Sequence, residues 1–514
     1  MSATPSFDPL ELEVMAHSFA GIAEEMGAVL VRAALSPNIR ERRDCSCAIF
    51  DAAGGMVAQA AHIPVHLGAM PDAVRAVLDR APAPGDVFIL NDPFNGGSHL
   101  PDLTLVEAVE LDGRITGYVA VRAHHADVGG MSPGSMPMGA TEQVQEGLVL
   151  PPVRIVRSGV RDDDMLNLIF ANVRTPQERA GDLRAQLAAC AVGAAGIRSM
   201  IVREGEERVW AAGSALMDYA ERRSRAAIVA LGARQGRASD VLEGDGMSDA
   251  QVEVAVAVRA VDGRLRFDFT GTSQQVRGNV NCPLPVTRAA AAFVLRTLLP
   301  DDVPTNGGIA RAIEIIAEPG CAVNARWPAA VAAGNVEMSQ RLADVMLAAL
   351  ADAGLDVPAC GQGTMNNITF GGAGWTFYET LGGGQGASSH GYGPSAVHVG
   401  MSNTRNTPIE SLEWAYPIRV EEYAVRRGTG GAGKHRGGDG VVRRYRVLER
   451  CSATLLTERR SFPPPGARGG EPGALGRNLL NGRELPSKCR LELEPGDLVT
   501  IETPGGGGWG SESD

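Results

Sequence analysis

The chain has 514 residues, 44% of them hydrophobic and 21% charged, with a net charge of -12. Such a length exceeds what one hydrophobic core usually supports, so two or three domains are expected. The acidic balance, with no basic block and only 5% aromatic residues, argues against nucleic acid or an anionic membrane as a partner. No signal peptide opens the chain, and no run of eighteen apolar residues is present to span a bilayer. The eight cysteines are scattered, with only Cys45 and Cys47 close together. They are expected as reduced thiols of a cytoplasmic protein.

From Asp8 to about Leu35, apolar residues such as Leu12, Met15, Phe19, Ile22 and Met26 recur at spacings of three and four, which predicts an amphipathic helix opened by Asp8-Pro9. A strand is expected to follow, ending at Phe50-Asp51 and turning at Ala53-Gly54-Gly55. Asp44 lies between the basic run at Arg40 to Arg43 and this strand. Two readings are open there: a salt bridge to Arg42 or Arg43, or a further carboxylate on a metal. His62 and His66 have helical spacing, but Pro64 between them argues against a helix; both are read as pocket-lining or structural, with the structural role preferred. A helix from Pro71 to Arg80 and a strand from Val87 to Leu90 come next.

The stretch Asn91-Asp92-Pro93-Phe94-Asn95-Gly96-Gly97-Ser98-His99-Leu100-Pro101-Asp102, with Ala123-His124-His125-Ala126-Asp127, holds three of only nine histidines. Leu103 to Leu111 and Ile115 to Ala123 read as a hairpin closing on Asp112-Gly113. With a two-residue turn, Asp102 shares a face with Ala123 and His125; with a three-residue turn and a glycine bulge, it faces His124. Either register brings two imidazoles and a carboxylate to one sheet end, with His99 nearby on the loop. Such ligands suit a divalent ion (Zn, Mn or Fe) that keeps positions open for water or substrate. Histidines that only cap strand ends are the plainer reading, and the clustering favours the metal.

Downstream, Thr175-Pro176-Gln177-Glu178 has the form of a capped helix start, and helix is expected to about Leu231 with its charges on a solvated face. Val252 to Val261 and Leu265 to Phe269 read as a hairpin across Asp262-Gly263. Gly334-Asn335-Val336-Glu337 precedes a helix through Leu350. Glu337 in its first turn is read as an ionised cap, with a catalytic base as the alternative. Residues 361–410 are rich in Gly, Asn, Thr and Ser, which suits either a floppy surface or a backbone-lined pocket for a polar ligand. Gly428 to His435 imitates a phosphate-binding loop but lacks its Ser or Thr and its following helix. The fold class expected is α+β: multi-domain, with mixed sheets, flanking helices and a β-rich C-terminal part. The divisions are 1–240 for the metal-site domain with long helices, 241–425 for a mixed α/β domain, and 426–514 for the β-rich domain.

Together, Arg42 to Asp51, His66 to Pro71, the Asn91 to Asp102 loop, His124 to Gly130, Gly334 to Glu337, Gly363 to Asn367, Tyr378-Glu379-Thr380, Asn403 to Glu410 and Thr503 to Gly510 resemble the hydantoinase B/oxoprolinase family across the whole chain. The resemblance implies an A-type partner that binds ATP and phosphorylates the carbonyl oxygen of a small cyclic amide, in a hetero-oligomer such as (αβ)2. It implies a metal in this chain, held by His99, Asp102 and His124 with Asp44 as a fourth ligand, that supplies the attacking water. The activity implied is ATP-dependent hydrolysis of a hydantoin, 5-oxoproline or another lactam. The alternative is a subunit of a ketone carboxylase of the acetone or acetophenone type, and a third reading is a non-catalytic scaffold. His125 or Asp127 is the expected proton shuttle. Ser389-His390-Gly391-Tyr392 departs from the family's acid-glycine pair, which leaves any role of that acid without a residue here.

Overall fold

The computed structural model describes residues 7–61, 63–66 and 68–511, so His62 lies outside the described residues. The expected α+β, multi-sheet architecture is present: helices flank four sheets of seven, four, four and five strands. The first sheet carries the site. Its strands are β1 (Cys45–Asp51), β2 (Met56–Ala61), β3 (Val87–Leu90), β4 (Asp102–Leu111), β5 (Arg114–His124), β6 (Val153–Arg157) and β7 (Val160–Arg161), in the spatial order β2-β1-β5-β4-β3-β6-β7. Every pairing in it is antiparallel.

Alternation along these strands produces two apolar faces. Leu103, Leu105, Val121 and Ala123 join Cys45 and Cys47 against the long helices. Val106, Ala108, Tyr118 and Ala120 join Ala48 and Phe50 against the helix Met70–Leu78. The N-terminal helix Pro9–Ala33 opens on a capping box between Asp8 and Glu11. It packs along Pro176–Glu204 with very little clearance: a Cβ on Gly193 would collide with the Met26 side chain, and one on Gly196 would come within 2.9 Å of Ile22. By length and mean hydropathy both helices could cross a bilayer, although neither holds an unbroken run of eighteen apolar residues. Here both bury faces in the core of the first sheet.

Two local expectations need correction. Thr175 makes no side-chain cap to the helix Pro176–Glu204, and Glu178 pairs with Arg179 instead of reaching back to the N-cap. Nor are that helix's charges all solvated: Arg179 and Asp182 are buried and paired at 3.1 Å, and Asp182 accepts the backbone N–H groups of Leu35 and Ser36.

The hairpin register combines both alternatives. Asp112 and Gly113 each have positive φ, as a two-residue turn of the primed type requires, and Leu111 faces Arg114. The register then shifts between Val109 and Glu110, leaving Thr116 as an extra residue on β5, so that Asp102 lies opposite His124. The bulge is therefore inside the strand and not at the turn glycine. The helix Glu206–Ala230 clamps it: Thr116 Oγ1 donates to Glu206 Oε1 at 2.6 Å and accepts from Trp210 Nε1 at 2.9 Å.

A second, four-stranded sheet is built on the predicted hairpin Val252–Val261 and Arg264–Asp268. The third pairs Asn367–Gly372 with Trp375–Glu379 and Cys451–Leu456, so strands from both sides of residue 425 share one sheet. The abundant glycine has a common cause here. Residues 383–393, 428–440, 466–473 and 505–510 run side by side, bonded backbone to backbone, as from Gly506 N–H to the Gly438 carbonyl and from Gly438 N–H to that of Gln385. A Cβ on Gly438 would collide with the Pro394 carbonyl. The imitation phosphate loop belongs to this bundle, and a strand, Gly440–Val447, follows it.

The bulge clamp is testable. A Cβ on Gly117 would lie 2.7 Å from both the Phe50 carbonyl and the Trp210 ring, so Gly117→Ala should lower unfolding free energy by about 1–3 kcal/mol. Gly391→Ala, with nothing within 4 Å, should stay within about 0.5 kcal/mol of wild type. Chemical denaturation of the two variants checks this.

Candidate metal centre

His124 ends β5 and Asp102 begins β4, so cross-strand pairing alone makes them neighbours. The loop before β4 brings His99 back by a turn in which Asp102 N–H donates to the His99 carbonyl. His99 Nδ1 lies 3.0 Å from Asp102 Oδ2, and His124 Nδ1 lies 3.6 Å from Oδ1. Ligand atoms of His99, Asp102 and His124 all fall within 4.8 Å of one another, and all three residues are buried. His66 joins them from a single turn of 3-10 helix, Pro64–His66, with Nε2 3.4 Å from Asp102 Oδ2.

This donor set fits a divalent cation. Both ring nitrogens of His99, Asp102 Oδ1 and His124 Nε2 are buried without a hydrogen-bond partner among the described residues, and such groups are costly to leave unsatisfied. Burial would raise the Asp102 carboxyl, but the neighbouring His99, His66 and His124 outweigh it and hold the group well below the ordinary carboxylate range. Burial lowers the His124 imidazole against the opposing pull of Asp102 and Asp44, keeping it neutral and able to ligate. Ser98 Oγ donates to Asp102 Oδ2 at 2.7 Å, a support of the kind that orients metal-ligating carboxylates.

The other predicted residues are distributed differently. Asp44 is buried beside the site, its Oδ2 4.0 Å from Arg42 Nη2, and stands outside the close trio of ligand atoms. His125 is not in the cluster. The strand pleat turns it to the opposite face of the sheet, where Nε2 meets Gln186 Oε1 at 2.9 Å, and burial with the nearby Arg179 pushes it down to about 4. Asp127 organises the following loop: it accepts the N–H groups of Gly129, Gly134 and Arg174 and pairs with the Arg174 guanidinium. Glu337 begins the helix Glu337–Asp352 but is not the ionised cap expected. Burial, aided by the charge of Glu458, pushes it up to about 8, outweighing the helix-end field. It accepts from Met365 N–H and from Asn367 Nδ2.

Of two further neighbours, sequence reasoning weighed His66 as pocket-lining but preferred a structural role, and missed Tyr378. Pro64 masks His66, because the proline removes the α-helix that a spacing of four would suit and leaves the 3-10 turn unannounced. Tyr378 stacks on His124 with ring centroids 4.5 Å apart, and no local pattern announces a contact between residues so distant in the chain.

The Hydantoinase B/oxoprolinase family profile matches residues 8–512, and the chain belongs to that family. A 5-oxoprolinase of Dictyostelium discoideum is 37% identical across 99% of this chain, which spans only 41% of that protein. The putative B-type subunit of a D-/L-hydantoinase from a Pseudomonas species is 31% identical, covering 98% of this chain and 90% of its own. Among solved structures, the ATP-dependent caprolactamase of Pseudomonas jessenii superposes with a TM-score of 0.91 at 26% identity, covering 99% of this chain and 92% of that one. An acetone carboxylase chain shares the fold, with a TM-score of 0.86 at 17% identity over 98% of this chain and 76% of its own.

Two outcomes are expected. Elemental analysis should find one divalent ion per wild-type chain and none in His99→Ala or His124→Ala. Separately, Glu337 keeps its proton in the native state up to about 8 but loses it near 4.5 when unfolded. The native state therefore binds more protons between those values, and stability falls as pH rises through them. Glu337→Gln should show a smaller fall in thermal midpoint between pH 5 and pH 8.5 than wild type.

Proposed function

We propose that this chain is the metal-binding, B-type subunit of an ATP-dependent cyclic amide hydrolase, acting on a substrate that a separate ATP-binding A-type subunit has phosphorylated. The observation that carries this reading is the buried His99, Asp102 and His124 trio with its unsatisfied donor atoms. Family membership and the likeness to the caprolactamase support the lactam class. The chain spans nearly all of the hydantoinase relative and about two-fifths of a 5-oxoprolinase; the hydantoinase relative is named as one subunit of an enzyme, which supports a partner subunit.

In the proposed reaction His99, Asp102 and His124 hold the ion, with Asp44 completing the set. A divalent ion so held supplies Lewis acidity that makes water a stronger nucleophile near neutral pH. Asp102 stays ionised throughout, and its burial with His99 and His124 shields the three side chains from bulk water. His125, Asp127 and Glu337 are assigned supporting roles here, since each makes its hydrogen bonds away from the trio's open nitrogens. The likeness to acetone carboxylase is one of fold and does not favour carboxylation over hydrolysis.

The test is reconstitution of the purified chain with a candidate A-type subunit, ATP and a panel of 5-oxoproline, hydantoins and caprolactam. Ring opening coupled to ADP release is expected, with activity reduced at least about 100-fold in His99→Ala. A requirement for bicarbonate with a ketone would replace the proposal with the carboxylase reading. Full activity after metal removal would replace it with a scaffold role.

A further inference from the structure

His124 has little of its own to hold its ring. Among the described residues Nε2 has no hydrogen-bond partner, and Nδ1 is 3.6 Å from the nearest oxygen of Asp102. What lies flat against it is Tyr378, from the strand Trp375–Glu379 of the third sheet, with planes 13° from parallel. Tyr378 is anchored at several points. Its hydroxyl donates to Asn367 Oδ1 at 2.7 Å, its carbonyl accepts from Arg42 Nη1 at 3.2 Å, and the Arg42 guanidinium lies 4.9 Å from its ring centre. Asn367 is fixed in turn, because its Nδ2 donates to Glu337 Oε1 at 2.8 Å and to the Leu456 carbonyl at 3.1 Å. Those two acceptors demand the amide N–H groups, so only Oδ1 is left to receive the tyrosine proton.

We propose that Tyr378 is a positioning residue of the metal centre, setting the plane of the His124 imidazole, and that Asn367 and Glu337 hold Tyr378 in that pose. The proposal rests on the metal-centre reading above. Partners beyond the ligands usually orient metal-bound histidines through a hydrogen bond; here a stacked ring does so, and the hydrogen bond lies one residue further out. Ordinary core packing would need the ring but not this chain of hydrogen bonds, and would not tie its removal to metal affinity.

The experiment measures Zn(II) affinity of the full chain by chelator competition, and the visible spectrum of the Co(II)-loaded chain, in wild type, Tyr378→Phe, Tyr378→Leu, Asn367→Leu and His99→Ala. Tyr378→Leu should weaken Zn(II) binding about 10–100-fold. Tyr378→Phe and Asn367→Leu should fall between it and wild type, with displaced Co(II) bands. If Tyr378→Leu does not fold, the Phe and Asn367 variants carry the test. Wild-type affinity and spectrum in all the folded variants, with metal lost in His99→Ala, would overturn this proposal and leave the metal centre standing. Equal metal binding by wild type and His99→Ala would overturn the metal centre itself.

Discussion

Asp102 is a carboxylate removed from water at the end of a strand, and the architecture around it follows from satisfying that charge. An isolated buried carboxylate costs several kcal/mol or more. Here its two oxygens face Ser98, His66, His99 and His124 within 3.6 Å, with buried Arg122 close enough to add its field. These partners come from different local structures: a loop, a single 3-10 turn and the neighbouring strand. The first sheet can therefore be understood as the frame that brings them to one point, and its bulge at Thr116 as the adjustment that makes the point coincide.

That adjustment depends on parts far from the site. One residue of slip would turn His124 away and His125 inward, so the clamp of Glu206 and Trp210 on Thr116 and Gly117 controls which imidazole meets Asp102. On the other side, the third sheet supplies Tyr378, and its strands are tied to the glycine bundle near the C-terminus. Residues 383–393 and 505–510 are packed so closely that backbone meets backbone. The site is thus held between two parts of different construction, one the first sheet with its helices and the other the third sheet, whose neighbouring glycine-rich segments are bonded backbone to backbone.

Buried carboxyls illustrate how depth overrides local rules. Glu337 sits where a helix start favours an anion, yet burial keeps it protonated up to about 8. Glu146 behaves alike: although it accepts the N–H groups of Val331 and Ala332, burial pushes it up to about 8. A helix-end field is worth about 0.3–1 kcal/mol at an exposed site, whereas a shift of several pKa units reflects a larger desolvation cost.

By itself the sequence determined the features written in short windows. The N-terminal helix, the strand Val87–Leu90, the hairpins across Asp112-Gly113 and Asp262-Gly263, and the meeting of Asp102 with the end of β5 follow from periodicity and turn chemistry over a few residues. So does the imitation phosphate loop, whose missing Ser or Thr is a local fact. Tertiary structure alone decided the register inside the hairpin, because Thr116 is pinned by a helix ninety residues onward. It also decided that His66 faces Asp102, that Tyr378 covers His124, that Arg179 and Asp182 are buried, and that Glu337 is neutral. Those outcomes depend on which distant surfaces exclude water and supply partners, and burial is a property of the assembled core that no stretch of chain carries alone.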